Sequence, residues 1–151
     1  MDKIQISKKI EVRESPLHRY GMFAADFIES ETVVEISPYV KLNKHNLHSE
    51  SRLLDYSFDH LYEVDALCFP LGYCGLYNHS IDNYNIELFN DMDREVLIVR
   101  TLRNIEKDEE LLLNYEGYDQ DVDFHNLLDK IRDDFYAGKV SVEELYRKFS
   151  E

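Results

Sequence analysis

Two short stretches of this 151-residue chain carry the side chains best able to do chemistry. The first is Asn78-His79-Ser80, inside a polar, turn-rich run from Gly72 to Asn85. The second leads from Glu109-Glu110-Leu111 to Tyr115. Amide, imidazole and phenol groups at breaks in regular structure can hold a ligand by hydrogen bonds. Glycines such as Gly72 and Gly75 let the backbone come close to a ligand or to another chain segment. Neither stretch belongs to a Ser-His-Asp or His-Glu constellation, so no nucleophile with its base is visible. A metal site has no support either. Cys68 and Cys74 are too far apart for a CxxC pair, and no third Cys completes a zinc site. His45 and His48 fall in a polar loop and are not read as ligands. What remains is binding and positioning, and either tripeptide alone is common by chance.

These stretches need elements to hold them. Ile4, Ile6, Ile10 and Val12 alternate with polar residues, which predicts strands. Glu14-Ser15-Pro16-Leu17 breaks the pattern, and a tight turn through Arg19-Tyr20-Gly21 leads into Met22-Phe23-Ala24-Ala25. Thr32–Ile36 and Tyr39–Leu42 read as two strands separated by Ser37-Pro38. Residues 43–52 read as loop or short helix, and Leu53–Phe58 fits no single pattern. Leu61–Val64 and Ala66–Phe69 flank an acidic turn and read as a hairpin. Ile86–Asn90, Glu95–Thr101 and Leu111–Leu113 complete the strands. Short strands with frequent turns predict a mainly β domain over 1–118.

The end of the chain differs. Phe124, Leu127, Leu128, Ile131 and Phe135 recur at helical spacing, with Asp121 or Asp123 as cap and Gly138 as stop. Ser141-Val-Glu-Glu144 is a capping box for a second short helix. Residues 119–151 are therefore expected as a helical C-terminal extension packed on the β domain, too short for a core of its own. The apolar stripe of these helices is expected to dock on that core first, with a homodimer face as the second use.

Composition bounds the partners. Hydrophobic residues make up 44% and aromatics 13%, with 11 Tyr, 8 Phe and no Trp, so the chain is globular. Seventeen basic against 31 acidic side chains leave a net charge of −14. That field repels nucleic-acid backbones and attracts basic proteins or peptides, though acidity serves solubility as well. Two cysteines suggest a reducing compartment. Neither a signal peptide nor a run of about 20 apolar residues is visible, so no membrane span is expected. The expected location is intracellular, in the nucleus or cytoplasm of the producing or host cell.

Three stretches, in order, resemble the SET-domain family of protein lysine methyltransferases. Ser15-Pro-Leu-His-Arg-Tyr-Gly-Met-Phe-Ala-Ala25 resembles its G-x-G-x-F-A turn. Leu71-Gly-Tyr-Cys-Gly-Leu-Tyr-Asn-His-Ser80 resembles the approach to N-H-S. Asn104-Ile-Glu-Lys-Asp-Glu-Glu-Leu-Leu-Leu-Asn-Tyr115 resembles I-x-x-G-E-E-L-x-x-x-Y. The resemblance covers roughly Lys9 to Tyr118, and its compactness is similar to that of the short viral SET proteins. It implies a β-clip of small curved sheets whose knot-like C-terminal crossing joins the N-H-S and Tyr segments. The chain departs from the pattern at Arg19 and Asp108, where the family has Gly. It also departs at Ile81–Asn85, where the family often has C-x-P-N, and at Glu116, where a Gly usually follows the Tyr.

The resemblance implies methyl transfer from S-adenosylmethionine to a lysine amine, possible without an Asp or Glu base. It makes Tyr115 the catalytic tyrosine. Cofactor contacts fall to Asn78 and His79, to Tyr20, Gly21 and Met22 largely through main chain, and to Tyr115. Tyr118 or Phe124 would cover the adenine or the lysine channel. Glu110 would be structural in the crossing. Tyr56 and Tyr77 are candidate channel walls or core residues, with Tyr118 as a third wall. The implied substrate is a basic segment, such as a histone tail, laid in an acidic groove as an added strand. The rivals are a weak or inactive SET-like module that binds basic peptides, and an acidic decoy that mimics nucleic acid.

Overall fold

The computed structural model describes residues 4–60, 63–92 and 94–115. Ten strands are found there: β1 (Gln5–Ile6), β2 (Ile10–Glu14), β3 (Tyr20–Ala24), β4 (Val33–Asn43), β5 (Phe58–Asp59), β6 (Ala66–Pro70), β7 (Asn78–His79), β8 (Ile86–Asp91), β9 (Val96–Thr101) and β10 (Glu110–Leu113). The mainly β class expected from the sequence holds. The expected helices of the extension lie outside the described residues, as do Tyr118 and Phe124. No helix among the described residues is long and apolar enough to cross a membrane.

The strands form one continuous order, β2-β3-β10-β8-β9-β4-β6-β5, with β1 added on β4 and β7 on β10. Two hairpins, β2–β3 and β8–β9, are antiparallel, whereas β10 runs parallel to both β7 and β8. A late strand inserted between early ones brings Asn78-His79 and Leu112-Leu113 side by side. This is the juxtaposition that the crossing implies. The core beneath it includes Met22, Ile28, Val34, Tyr77, Leu97 and Leu111, all fully buried. Phe89, Val96 and Ile98 form a smaller cluster with Val33 and Ile36, so the β8–β9 hairpin contributes to two clusters.

Two elements differ from expectation. Val33–Asn43 is one strand, and Pro38 lies inside it. Pro38 sits where β4 changes partner, from β9 over Val33–Pro38 to β6 over Tyr39–Asn43, and a missing N–H costs least at such a handover. The hairpin before the Gly72 run pairs β5, Phe58–Asp59, with β6; Leu61 and Tyr62 of the expected strand lie outside the described residues. Glu63-Val64-Asp65 is its turn, closed by a bond from the Ala66 N–H to the Glu63 carbonyl, 3.1 Å. The stretch of mixed pattern is a 3₁₀ turn, Arg52–Tyr56, capped by the Ser51 side chain.

Candidate active site

The site forms on one edge of β10. Successive residues of a strand send their backbone groups to opposite edges. Leu112 faces Asn85: its N–H donates to Asn85 Oδ1 at 2.8 Å, and its carbonyl accepts from the Asn85 N–H at 3.0 Å. Asn85 Nδ2 also donates to the Glu110 carbonyl, 2.9 Å. The other edge of β10 is shared. Glu110 and Leu111 pair with Phe23 and Met22 of β3, while Leu112 and Leu113 pair with Asn78 and His79 of β7. The site lies at the seam where β3 gives way to β7.

The Glu110 carboxylate closes that seam. It accepts from Asn78 Nδ2 at 2.7 Å and from Ser15 Oγ at 2.8 and 3.0 Å. Asn78 Nδ2 also points at the carbonyls of Tyr20, 3.1 Å, and His18, 3.4 Å. One amide thus ties β7, β10 and the 15–20 turn together, and its nitrogen is committed to protein acceptors. Gly21 is the residue that makes room: a Cβ there would lie 2.2 Å from Glu110 Oε1 and 2.9 Å from Asn78 Nδ2. Arg19 and Asp108 both take positive φ, 26° and 71°, at the two places where the family has glycine. Asp tolerates that region better than most residues, and Asp108 is also paired with Arg13 at 2.9 Å.

Tyr115 stands beside the seam. Its hydroxyl donates to the Tyr77 carbonyl, and its N–H donates to His79 Nδ1 at 3.0 Å. The second bond needs the Nδ1 lone pair, so the ring proton sits on Nε2. The Tyr115 ring lies 4.9 Å from the His79 ring and meets Phe58 edge-on at 6.5 Å. It is 45% exposed, so one side remains accessible. Burial of its hydroxyl end pushes the phenol pKa up, which keeps it a donor at neutral pH.

The structure brings Tyr115, His79, Asn78, Tyr20 and Gly21 to one place. Two expected site residues fall elsewhere. Met22 is fully buried, and β2 and β10 flank it on both edges, so its side chain lies in the core. The Tyr77 ring is fully buried too, with its hydroxyl donating to Glu35 Oε1 at 2.9 Å. It is a core ring and not a channel wall, and only its carbonyl faces Tyr115. Tyr56 is half-buried and packs on Gly75, where a Cβ would lie 2.8 Å from the Tyr56 carbonyl oxygen. Two residues with a hand in the geometry, Asn85 and Glu35, escaped the sequence reading. Asn85 could have been found as the polar residue ending the run that replaces C-x-P-N. Glu35 gave no signal beyond an acid inside an apolar strand.

The chemistry of this cluster suits a positively charged centre. The Tyr115 hydroxyl meets the Tyr77 carbonyl oxygen, and the rings of Phe58 and His79 border the Tyr115 ring. Oxygen lone pairs and aromatic faces attract a positive centre.

The SET domain family profile matches residues 19–116 of this chain. A fission yeast (Schizosaccharomyces pombe) protein described as a histone-lysine N-methyltransferase specific for H3 lysine-37 is 26% identical over 112 residues, 73% of this chain and 75% of its own. The crystal structure of a candidate histone methyltransferase from Plasmodium falciparum superposes with a TM-score of 0.61 at 32% identity, covering 73% of this chain and 95% of that one. The methyltransferase domain of human PR domain-containing protein 2 has a TM-score of 0.56 at 16% identity, over 78% and 83% of the two chains, and speaks for the fold alone.

Proposed function

The chain belongs to the SET-domain family, and from that premise we propose that it is a protein lysine N-methyltransferase using S-adenosylmethionine. The observation that carries this reading is the meeting of the Tyr115 hydroxyl with the Tyr77 carbonyl, one residue before Asn78-His79, with the Phe58 and His79 rings against the Tyr115 ring. When bound, the cofactor supplies a methyl group already activated by its sulfonium charge. The protein has to place and desolvate the amine. Tyr20, Gly21, Asn78 and His79 would hold the cofactor, and Tyr115 would border the transferring methyl. With Asn78 Nδ2 committed to protein acceptors, contacts there fall to its remaining atoms and to main chain.

The target amine must be neutral. Removing its proton at pH 7 costs about 4–5 kcal/mol, given a reference pKa near 10.4. An apolar, aromatic channel lowers that pKa, and so does a neighbouring positive charge. Tyr115 stays protonated, so it does not serve as the base at neutral pH. The proton leaves to solvent before or as the lysine enters the channel. The substrate would be a basic segment, as in a histone tail, added as a strand near β5. Among the described residues β5 is the last strand of the sheet, and its Phe58 touches Tyr115. The net charge of −14 favours such a partner.

The test is transfer of a labelled methyl group to histones or to a host lysate. Wild type should label a basic protein. Tyr115→Phe should slow turnover about 100-fold or more, as loss of a group that positions the reacting centre does, while leaving folding nearly intact. Measurable cofactor binding with no methyl transfer to any protein would overturn the enzyme reading in favour of a peptide-binding SET-like module.

A further inference from the structure

Glu35 is a fully buried carboxyl that the mechanism above does not use. A bulge in the β4–β9 pairing between Val33 and Glu35 makes Val34 an extra residue, so Val34 and Glu35 both turn inward. Four groups donate to the carboxyl. Oε2 accepts from Ser37 Oγ at 2.6 Å, from the Tyr73 N–H at 2.8 Å and from Cys74 Sγ at 3.2 Å, and Oε1 accepts from the Tyr77 hydroxyl at 2.9 Å. Among the described residues none of these partners is a cation. Gly72 passes so close that a Cβ would lie 2.6 Å from Oε2. Burial first, and the adjacent carboxylate second, push the Tyr77 phenol pKa well up, so the proton it donates stays in place.

Three of the four donors come from a single turn, Tyr73–Tyr77. The carboxyl grips its start through Tyr73, its middle through Cys74 and its end through Tyr77. The next backbone group along is the Tyr77 carbonyl, which receives the Tyr115 hydroxyl, and the next residue opens β7. Burying a carboxyl costs free energy that an apolar side chain of similar size would not, so stability alone accounts poorly for an acid here. Several directional bonds instead specify one arrangement of the turn.

We propose that Glu35 is a positioning residue for methyl transfer: through the Tyr77 hydroxyl it holds the Tyr73–Tyr77 turn, and so fixes the carbonyl that orients Tyr115. The inference rests on the methyltransferase reading. Neither Glu35 nor the Tyr77 ring touches the reacting atoms; both act through the Tyr77 backbone.

The test uses the full chain with labelled S-adenosylmethionine and a basic protein acceptor. Tyr77→Phe, which removes one hydroxyl from a ring that stays in the core, and Glu35→Gln should each lower kcat about 10- to 100-fold, with KM for the cofactor changed by no more than about twofold. In a Tyr115→Phe background, Tyr77→Phe should cost little more, because both changes act on the same hydroxyl. A folded Tyr77→Phe with wild-type kcat overturns the inference. So does a loss that multiplies in full on Tyr115→Phe, which would mark a purely structural role. If Glu35→Gln does not fold, Tyr77→Phe decides alone. An inactive wild type overturns the methyltransferase reading and this inference with it. An active wild type with an unaffected Tyr77→Phe overturns the inference only.

Discussion

Asn85→Ala should be among the most costly single changes near the site. The Asn85 side chain is 1% exposed and stands in for a strand residue against β10. It gives a proton to the Glu110 carbonyl at 2.9 Å and takes one from the Leu112 N–H at 2.8 Å. Alanine leaves both backbone groups without these partners. An unpaired buried group costs about 1–3 kcal/mol. The carbonyl, with two lone pairs, suffers less than the N–H. Glu110 and Leu112 are only half-buried, so water entering the vacated space recovers part of the loss. The expected loss of stability is about 2–4 kcal/mol, near the lower end of the two penalties combined. For a chain of this size that lowers Tm by about 5–15 °C. Urea unfolding followed by circular dichroism should show a lower midpoint with an unchanged slope. Asn85→Asp sharpens the test. It keeps the acceptor for Leu112 but sets a second oxygen against the Glu110 carbonyl, so it should be destabilised at neutral pH and recover as acid protonates the new carboxylate. An Asn85→Ala midpoint within about 0.5 kcal/mol of wild type would refute the reasoning, since that is the range of surface substitutions.

Other perturbations probe the rest of the seam. Gly21→Ala drives a methyl against Glu110 Oε1 and Asn78 Nδ2; it should cost about 1–3 kcal/mol and weaken cofactor binding, and calorimetry giving wild-type affinity would remove Gly21 from the lip. Arg19→Gly relieves a residue at φ 26° and should stabilise by up to about 1 kcal/mol, because αL strain of about 1–2 kcal/mol outweighs the added chain entropy of glycine. A lower urea midpoint would show that the Arg19 side chain itself contributes. Burial pushes the phenol pKa values of Tyr39, Tyr77 and Tyr115 upward from 10.0. Each folded pKa lies above its unfolded value, so the unfolded chain ionises first: these groups' contribution is intact below about pH 10 and is lost as pH rises through the folded values. Phenolate absorbance should therefore rise late for these tyrosines and coincide with unfolding; all 11 titrating together near pH 10 in a folded chain would contradict it.

Much of the β framework was legible because its cause is local. Ile10 and Val12 alternate with polar neighbours, and Ile86–Asn90 and Glu95–Thr101 are short, largely apolar runs on either side of a turn, so each signal sits within a few residues. Pro38 misled the reading because a proline normally ends a strand, and only a change of partner strand excuses it. Arg19 depends on its surroundings in the same way. Sequence shows that arginine resists positive φ, but not that the surrounding turn imposes it.

The amino-acid sequence by itself determined the fold class, the family and the two segments, around Asn78 and around Tyr115, on which the site is built. Those depend on residue types at short spacings, which the chain carries in one dimension. The tertiary structure alone decided which atoms of those segments meet. It turned the Tyr77 ring into the core and left its carbonyl for Tyr115. It buried Met22 between two strands. It set Asn85 against β10 and closed Glu35 around the turn before Asn78. These contacts join residues tens of positions apart. Their strength lies in distance and direction, and no short sequence pattern records either.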